Sequence, residues 1–383
     1  MKVGIFLERT YYNNENDMKI NVERKTFIDA ISVGGSMSGK TRSIPILEMS
    51  KVTIKDKSAL ISSFDGEVAI TSRCSIVDSE GDIAFCINTR DWLMLLKLLK
   101  DDVVTFDIEN GVCTTRHSKG KFELSVADSE DFPTPSKDDD AKNVTISLDS
   151  TLLGDWAKVC KGFISQDDLR PILCGMYLYC KDGEVGCVAT DTHKMYWNYI
   201  NDSNIGDLAI DGVVTSKALD VLVGVLGNGS DKVVVTFSEN NITFKTQDAK
   251  LLCRKVEGKY PAFRSVIPQN NATTCKVALE DFKDAITRLN LMSGASKLIK
   301  LNIGQLGMNI ESCDYDFGKA GSEEVACELN GSDLTIGVNV ANILACVNAI
   351  SDATTYMEMD SPQRPIVFKE ENATMLLMPM RIS

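Results

Sequence analysis

Four landmarks recur along this chain in one order and at nearly one spacing, which restricts the fold to a duplicated unit. Pro45-Ile46-Leu47 returns as Pro171-Ile172-Leu173, with the prolines 126 apart. An aspartate follows each Pro by 20 positions, Asp65 and Asp191. Val103-Val104-Thr105-Phe106 returns as Val234-Val235-Thr236-Phe237, 131 positions on. Asp131-Phe132-Pro133 returns as Lys259-Tyr260-Pro261, with the prolines 128 apart. A fainter third copy follows. Amphipathic helical patterns open the units at Val22–Gly35, Leu148–Phe163 and Ala278–Ser293. A second helix stands behind a capping-type residue in each: Asn88 before Trp92–Lys100, Thr215 before Ala218–Leu226, Asn339 before Ile343–Ile350. Asn and Thr side chains accept hydrogen bonds from the free N–H groups of a first turn, so they suit that position.

The densest stretch is Leu169 to Met195. Pro171-Ile172-Leu173 closes a helical segment. Two strand-like runs follow, Met176–Cys180 and Glu184–Ala189, joined by Lys181-Asp182-Gly183. Asp-Gly between alternating apolar runs signals a hairpin. The stretch ends on the polar Thr190-Asp191-Thr192-His193-Lys194. In the first unit, strand-like alternation covers Val52–Ile54, Ala59–Ser63 and Val68–Ser72.

Length alone allows 383 residues two or three domains, and the repeat selects three. We place an extension at residues 1–17 and α+β units at 18–142, 143–268 and 269–383, each with two helices and antiparallel strands. The acidic run Ser136–Asp140 and the polar Ile267–Asn271 read as linkers. No run approaches the roughly 18 apolar residues of a membrane helix. The apolar run near the N-terminus is too short for a signal peptide, so the expected compartment is the cytoplasm, with no membrane partner. The 12 cysteines are scattered singly and only two histidines occur, His117 and His193. That gives no metal-ligand spacing, so neither metal nor cofactor is expected. Cys160, Cys187 and Cys346 sit in apolar segments and read as small buried hydrophobes.

A net charge of −13 argues against nucleic-acid binding if spread evenly. It is not spread evenly. Helical windows 22–35, 88–100, 148–163, 215–226, 278–293 and 339–353 carry 0, +2, 0, 0, −1 and −1, which cancel. The acid excess lies on strands and loops. If the helices share a surface, that surface is far less negative than the rest, and Lys40 and Arg42 extend it. The chain ends in Met-Leu-Leu-Met-Pro-Met-Arg-Ile-Ser, which implies a buried last strand, a docking site, or both.

Thr190-Asp191-Thr192-His193-Lys194, Tyr260-Pro261-Ala262-Phe263-Arg264-Ser265-Val266-Ile267-Pro268 and Met378-Pro379-Met380-Arg381 together resemble the bacterial-type DNA polymerase III beta subunit, the DNA sliding clamp family. The resemblance runs from Met18 to Arg381. It departs at Thr192, where Gly is usual, Lys194, where Arg is usual, and Met195, where Leu is usual, as in a divergent, extended member.

The resemblance implies three DNA-clamp domains per chain and a head-to-tail homodimer ring around double-stranded DNA, bound without regard to sequence. It also implies docking of a DNA polymerase and a clamp loader, without catalytic residues. It places a partner-peptide pocket at Leu173, Thr190, Thr192, His193, Lys194, Met195, Pro261, Val266, Leu376, Met378, Pro379, Met380 and Arg381, suited to a linear peptide with Leu and Phe anchors. DNA contacts would come from Lys40, Arg42, Gln166, Arg170, Arg288 and Lys297. The dimer interface would use Phe122 and Leu124 on one side, Leu291 and Met292 on the other. Two alternatives remain at this stage: a repeat scaffold binding peptides but no DNA, and a metal phosphoesterase using Asp191, His193 and Asp138–Asp140.

Overall fold

A computed structural model describes residues 18–40, 44–135, 143–203, 205–206, 208–227, 231–314 and 316–382. The first module runs β1 (Met18–Glu23), α1 (Arg24–Gly34), β2 (Ser50–Lys55), β3 (Ser58–Phe64), β4 (Val68–Ser75), the short β5 (Asp78–Ser79), β6 (Ile83–Ile87), α2 (Thr89–Leu98), β7 (Val103–Glu109), β8 (Val112–His117) and β9 (Gly120–Asp128). The second runs β10 (Val144–Asp149), α3 (Ser150–Cys160), β11 (Gly175–Lys181), β12 (Glu184–Thr190), β13 (Lys194–Asn201), β14 (Ile210–Thr215), α4 (Ser216–Leu226), β15 (Lys232–Phe237), β16 (Asn241–Lys245) and β17 (Ala249–Arg254). The third runs β18 (Thr273–Ala278), α5 (Leu279–Asn290), β19 (Leu298–Gly304), β20 (Gly307–Asp314), β21 (Lys319–Val325), the short β22 (Cys327–Asn330), β23 (Leu334–Asn339), α6 (Val340–Asn348), β24 (Thr354–Met359), β25 (Ile366–Lys369) and β26 (Ala373–Leu377). Apart from β5 and β22, the order is the same three times. The faint third copy is therefore a full one.

One expectation is corrected. Each module opens on a strand, not on its helix: β1, β10 and β18 pair with β7, β15 and β24. Val22 and Glu23 belong to β1, Leu148 to β10 and Ala278 to β18. Strand passes into helix through one extended residue, Glu23 at φ −72°, ψ 117°. No Gly or Pro marks the change, so apolar strand residues read as the helix's first turn. Pro171–Leu173 is likewise a separate 3₁₀ turn, matched by Pro45–Glu48.

The caps stand as expected. Asn88 Oδ1 accepts from the Asp91 N–H, Asn339 Oδ1 from those of Ala341 and Asn342, and Thr215 Oγ1 from that of Ala218. The repeated aspartates build one turn twice. Asp65 Oδ1 accepts from the N–H groups of Glu67 and Val68, and Asp191 Oδ1 from those of His193 and Lys194. At the end of α1, a Cβ on Gly34 would lie 2.3 Å from the Ile61 carbonyl oxygen. The last turn of α1 therefore rests directly on β3, and only Gly fits there.

The chain divides into two compact units, 1–154 with 220–255, and 155–219 with 256–383. The first holds a 13-stranded sheet, β10-β15-β16-β17-β4-β3-β2-β6-β9-β8-β7-β1-β5. Its first-module core joins Phe27 and Ile31 of α1 to Trp92 and Leu96 of α2 and to Phe85 and Phe106 of the strands. The Trp92 and Phe106 rings lie 4.9 Å apart. The second unit holds a 9-stranded sheet, β14-β11-β12-β13-β26-β25-β24-β18-β22, and a 4-stranded sheet, β21-β20-β19-β23. Every ladder is antiparallel.

Each unit contains one joint of the same kind. The third hairpin strand of one module pairs with the last strand of the next: β4 with β17, Val68 opposite Cys253, and β13 with β26, Lys194 opposite Leu377. Two strands of these types keep a free edge among the described residues. β21 pairs only with β20. β9 pairs along its length with β8, but with β6 only at Val126–Asp128, so Gly120–Ser125 is open on one side.

Candidate peptide-binding site

The second unit carries the residues of the expected pocket on the 3₁₀ turn Pro171–Leu173, the β12–β13 hairpin, the segment before β18, β26 and the residues after it. Leu173, Met195 and Leu376 are buried in one cluster with Tyr179, Val188, Val213 and Tyr260, and form an apolar floor. Met195 lies opposite Leu376 across the β13–β26 ladder. Met378 and Val266 are exposed, 37% and 56%. Pro261 is exposed too, while Pro379 and Met380 are half-buried.

The chain end is anchored on both sides. The Met378 N–H donates to the His193 carbonyl at 2.8 Å, and the Met380 N–H to the Gly337 carbonyl at 2.7 Å. Leu377 is fully buried, whereas Arg381 and Ile382 are exposed. The terminus is thus both a buried strand and an exposed apolar edge.

The polar turn between β12 and β13 is tightly wired. Thr190 Oγ1 donates to the Lys194 carbonyl at 2.7 Å and accepts from the Thr192 N–H at 3.1 Å. His193 is exposed. The Lys194 ammonium is not: its side chain is 11% exposed, ion-paired with Asp191 and 3.2 Å from Asn342 Oδ1. Thr192 sits at φ +78°, a left-handed position that a β-branched residue occupies only under strain. We expect Thr192→Gly to raise stability by about 1 kcal/mol, the released strain exceeding the added freedom of the unfolded chain. Urea unfolding measures it, and an unchanged midpoint would show the turn to be unstrained.

Sequence reasoning missed the aromatic bracket that holds Pro261 and Val266 in place. Phe263, in the 3₁₀ turn Phe263–Val266, packs on Tyr177, Tyr179 and Trp197. Tyr177 stacks on Tyr260 at 4.4 Å. Arg264 lies 5.0 Å over the Trp197 ring and is ion-paired with Glu184. Tyr177 and Tyr179 on β11 share one sheet face, as their two-residue spacing would have signalled. Nothing in the sequence pointed to Asn342.

The structure places the expected DNA contacts unevenly. Lys40 and Lys297 are exposed, and Lys297 holds φ +53°. Gln166 is exposed. Arg170 is bound to Asp167 at 2.9 Å, and Arg288 to Glu323 at 2.7 Å. Arg42, the extension 1–17 and the acidic run 136–140 lie outside the described residues. Of the expected interface residues, Phe122 is 45% exposed and stacked on His117 at 5.6 Å, and Leu124 packs against the first-module core. Hydrogen bonds from Ser118 and then from His117 hold the Asp101 carboxyl down to about 2, which ties the tip of this hairpin to the loop after α2. Leu291 is 69% exposed. A Cβ added to Gly321 would lie 3.1 Å from Met292 Cγ.

Among the described residues no group of three or more His, Cys, Asp or Glu is placed to hold a metal ion. No described helix is long and apolar enough to cross a membrane.

Comparison with known proteins gives the same succession of three domains. Three family models match in order: DNA polymerase III beta subunit, N-terminal domain at residues 18–136, central domain at 158–262 and C-terminal domain at 264–381. A beta sliding clamp of Bacillus subtilis (strain 168) is 24% identical over 379 residues, covering 95% of this chain and 100% of that protein. One of Staphylococcus aureus (strain N315) is 23% identical over 383 residues, covering 95% and 99%. Among solved structures, the DNA polymerase sliding clamp from Bacillus subtilis superposes with a TM-score of 0.89 at 22% identity, covering 96% of this chain and 100% of that one. A DnaN sliding clamp from Pseudomonas aeruginosa bound to griselimycin gives 0.90 at 20%, with the same coverage.

Proposed function

The chain belongs to the DNA polymerase III beta subunit family, and from that premise we propose that two copies close head to tail into a ring around duplex DNA. The ring tethers a polymerase through the groove at Leu173, Met195, Leu376 and Met378, and takes its loader on the same family of contacts. It is a cytoplasmic processivity factor and not an enzyme. Both oxygens of Asp191 are engaged by the turn and by Lys194, which leaves the only described acid of the phosphoesterase reading already occupied. The modules span 18–142, 143–268 and 269–383, after the extension 1–17. Lys40, Arg42, Gln166, Arg170, Arg288 and Lys297 are the proposed phosphate contacts. They position the duplex without reading its bases.

One observation carries this reading. Three equal modules make two strand joints within the chain, β4–β17 and β13–β26, and leave the two strands of a third joint open. A second copy supplies the missing strand at each end, and a closed assembly leaves neither edge bare. The faces fix the register to within steps of two residues, and we propose the one that centres Phe122 on Gly321. Glu323 and the Cβ position of Gly321 point at α5, and Leu124 points at the first-module core. Matching these faces with the strands antiparallel brings Phe122 opposite Gly321 of the second copy, beside Met292 and Leu291. The same register sets Lys119 opposite Glu324, and Lys121 opposite Ser322.

The test is closure on DNA. A chain carrying Lys121→Cys and Ser322→Cys is oxidised in the presence of nicked circular DNA. We expect a covalent dimer that stays on the circle through a high-salt wash and is released when the circle is cut. Release from the intact circle would reject the ring, and no covalent dimer would reject the β9–β21 joint in this register.

A further inference from the structure

We propose that Asn342 is a positioning residue of the peptide groove, acting through Lys194, and that Lys194 presents no charge to the bound partner. This deepens the groove reading above and rests on it for the ligand.

The Lys194 side chain leaves the start of β13 and reaches the first turn of α6. There its ammonium meets the Asp191 carboxylate and Asn342 Oδ1. A helix N-terminus carries positive potential, so a cation is unwelcome there unless oxygens face it. Asp191 supplies the charge and Asn342 the second acceptor. Asn342 is itself fixed, because its N–H and that of Ala341 are held by the Asn339 cap. The Asp191 oxygen not aimed at the ammonium takes the N–H groups of His193 and Lys194, at 2.8 and 2.9 Å. His193 in turn offers its carbonyl to the Met378 N–H. The first turn of α6, the polar turn and the chain end are thus one hydrogen-bonded unit. The Asn342 hydrogen bonds run to Lys194 and to the Asn339 cap.

The consequence is a specificity. A lysine at the mouth of the groove would favour peptides with acidic flanks. A lysine neutralised beneath it does not, and the partner is selected by its apolar anchors. Releasing Lys194 should create the acidic preference.

Two readouts test this on the full chain. The first is amide hydrogen exchange. In Asn342→Ala, protection of the Met378 and Lys194 N–H groups should fall at least fivefold, while Val52 in the first module is unmoved. Asn342→Asp, which keeps an oxygen in place, should restore it. The second is binding of two short fluorescent peptides with Leu and Phe anchors, one flanked by Ser and one by Asp. The native chain should bind both within twofold, and Asn342→Ala should favour the Asp-flanked peptide at least fivefold, more so at low salt. Unchanged protection in Asn342→Ala overturns the proposal. So does a tenfold acidic preference in the native chain that Lys194→Met removes. If protection falls but neither peptide binds the native chain, the positioning role of Asn342 stands and the groove reading fails.

Discussion

Cutting the chain after Leu377 will abolish binding of a Leu- and Phe-anchored peptide while leaving the molecule folded. Residues Met378 to Ile382 contribute the exposed Met378 of the proposed groove and two backbone hydrogen bonds, to His193 and to Gly337. The strand before them does not depend on them. β26 ends at Leu377 and is paired on both sides, with β13 and β25. Each lost backbone hydrogen bond costs about 1 kcal/mol net, so unfolding should shift modestly. Loss of a central apolar contact such as Met378 removes about 3 kcal/mol of binding, or at least a hundredfold in affinity. Removing only Ile382 and Ser383 should change affinity less than twofold. Titration by fluorescence anisotropy, with circular dichroism on each variant, separates the two effects. Full affinity in the chain cut after Leu377 would move the groove elsewhere.

Asp191→Asn should cause the largest loss of stability of any single isosteric change in the second unit. The Asp191 and Lys194 side chains are 17% and 11% exposed. Removing the carboxylate leaves an ammonium facing a helix N-terminus with only the Asn342 oxygen against it. Breaking a mostly buried pair in this way costs about 3 kcal/mol. The new amide can still accept from the N–H groups of His193 and Lys194, so the turn itself is retained. Lys194→Met on top of Asp191→Asn should therefore recover more than half of the loss, since the stranded charge is gone. Urea unfolding of the two variants decides it. If the double variant is no more stable than Asp191→Asn, the cost lies in the turn and not in the charge.

Much of the fold was legible because the chain states it three times. Prolines, capping residues and the Val-Val-Thr-Phe strands recur at fixed places, and Asp182-Gly183 forms its hairpin with both residues at positive φ. The strand that opens each module was not legible, because Ile20 and Val22 run into α1 without a breaking residue. The motif near the chain end named Leu173, Met195 and Leu376, which the fold buries in one cluster. The setting of Lys194 could not be read from it. Lys194 is held by Asp191 beside it and by Asn342, which lies 148 positions away and meets it only once the chain has folded. Arg288 and Arg170 show the same limit, since each is a cation in the sequence and half of an ion pair in the fold.

The anchoring of Met380 to Gly337 bears on how this protein should be handled at the bench. An affinity tag fused at this end would extend from the exposed Ile382, four residues after Met378, where it would shadow the proposed groove or thread into it and imitate a bound partner. A preparation tagged at that end would report weakened docking for reasons unrelated to its residues.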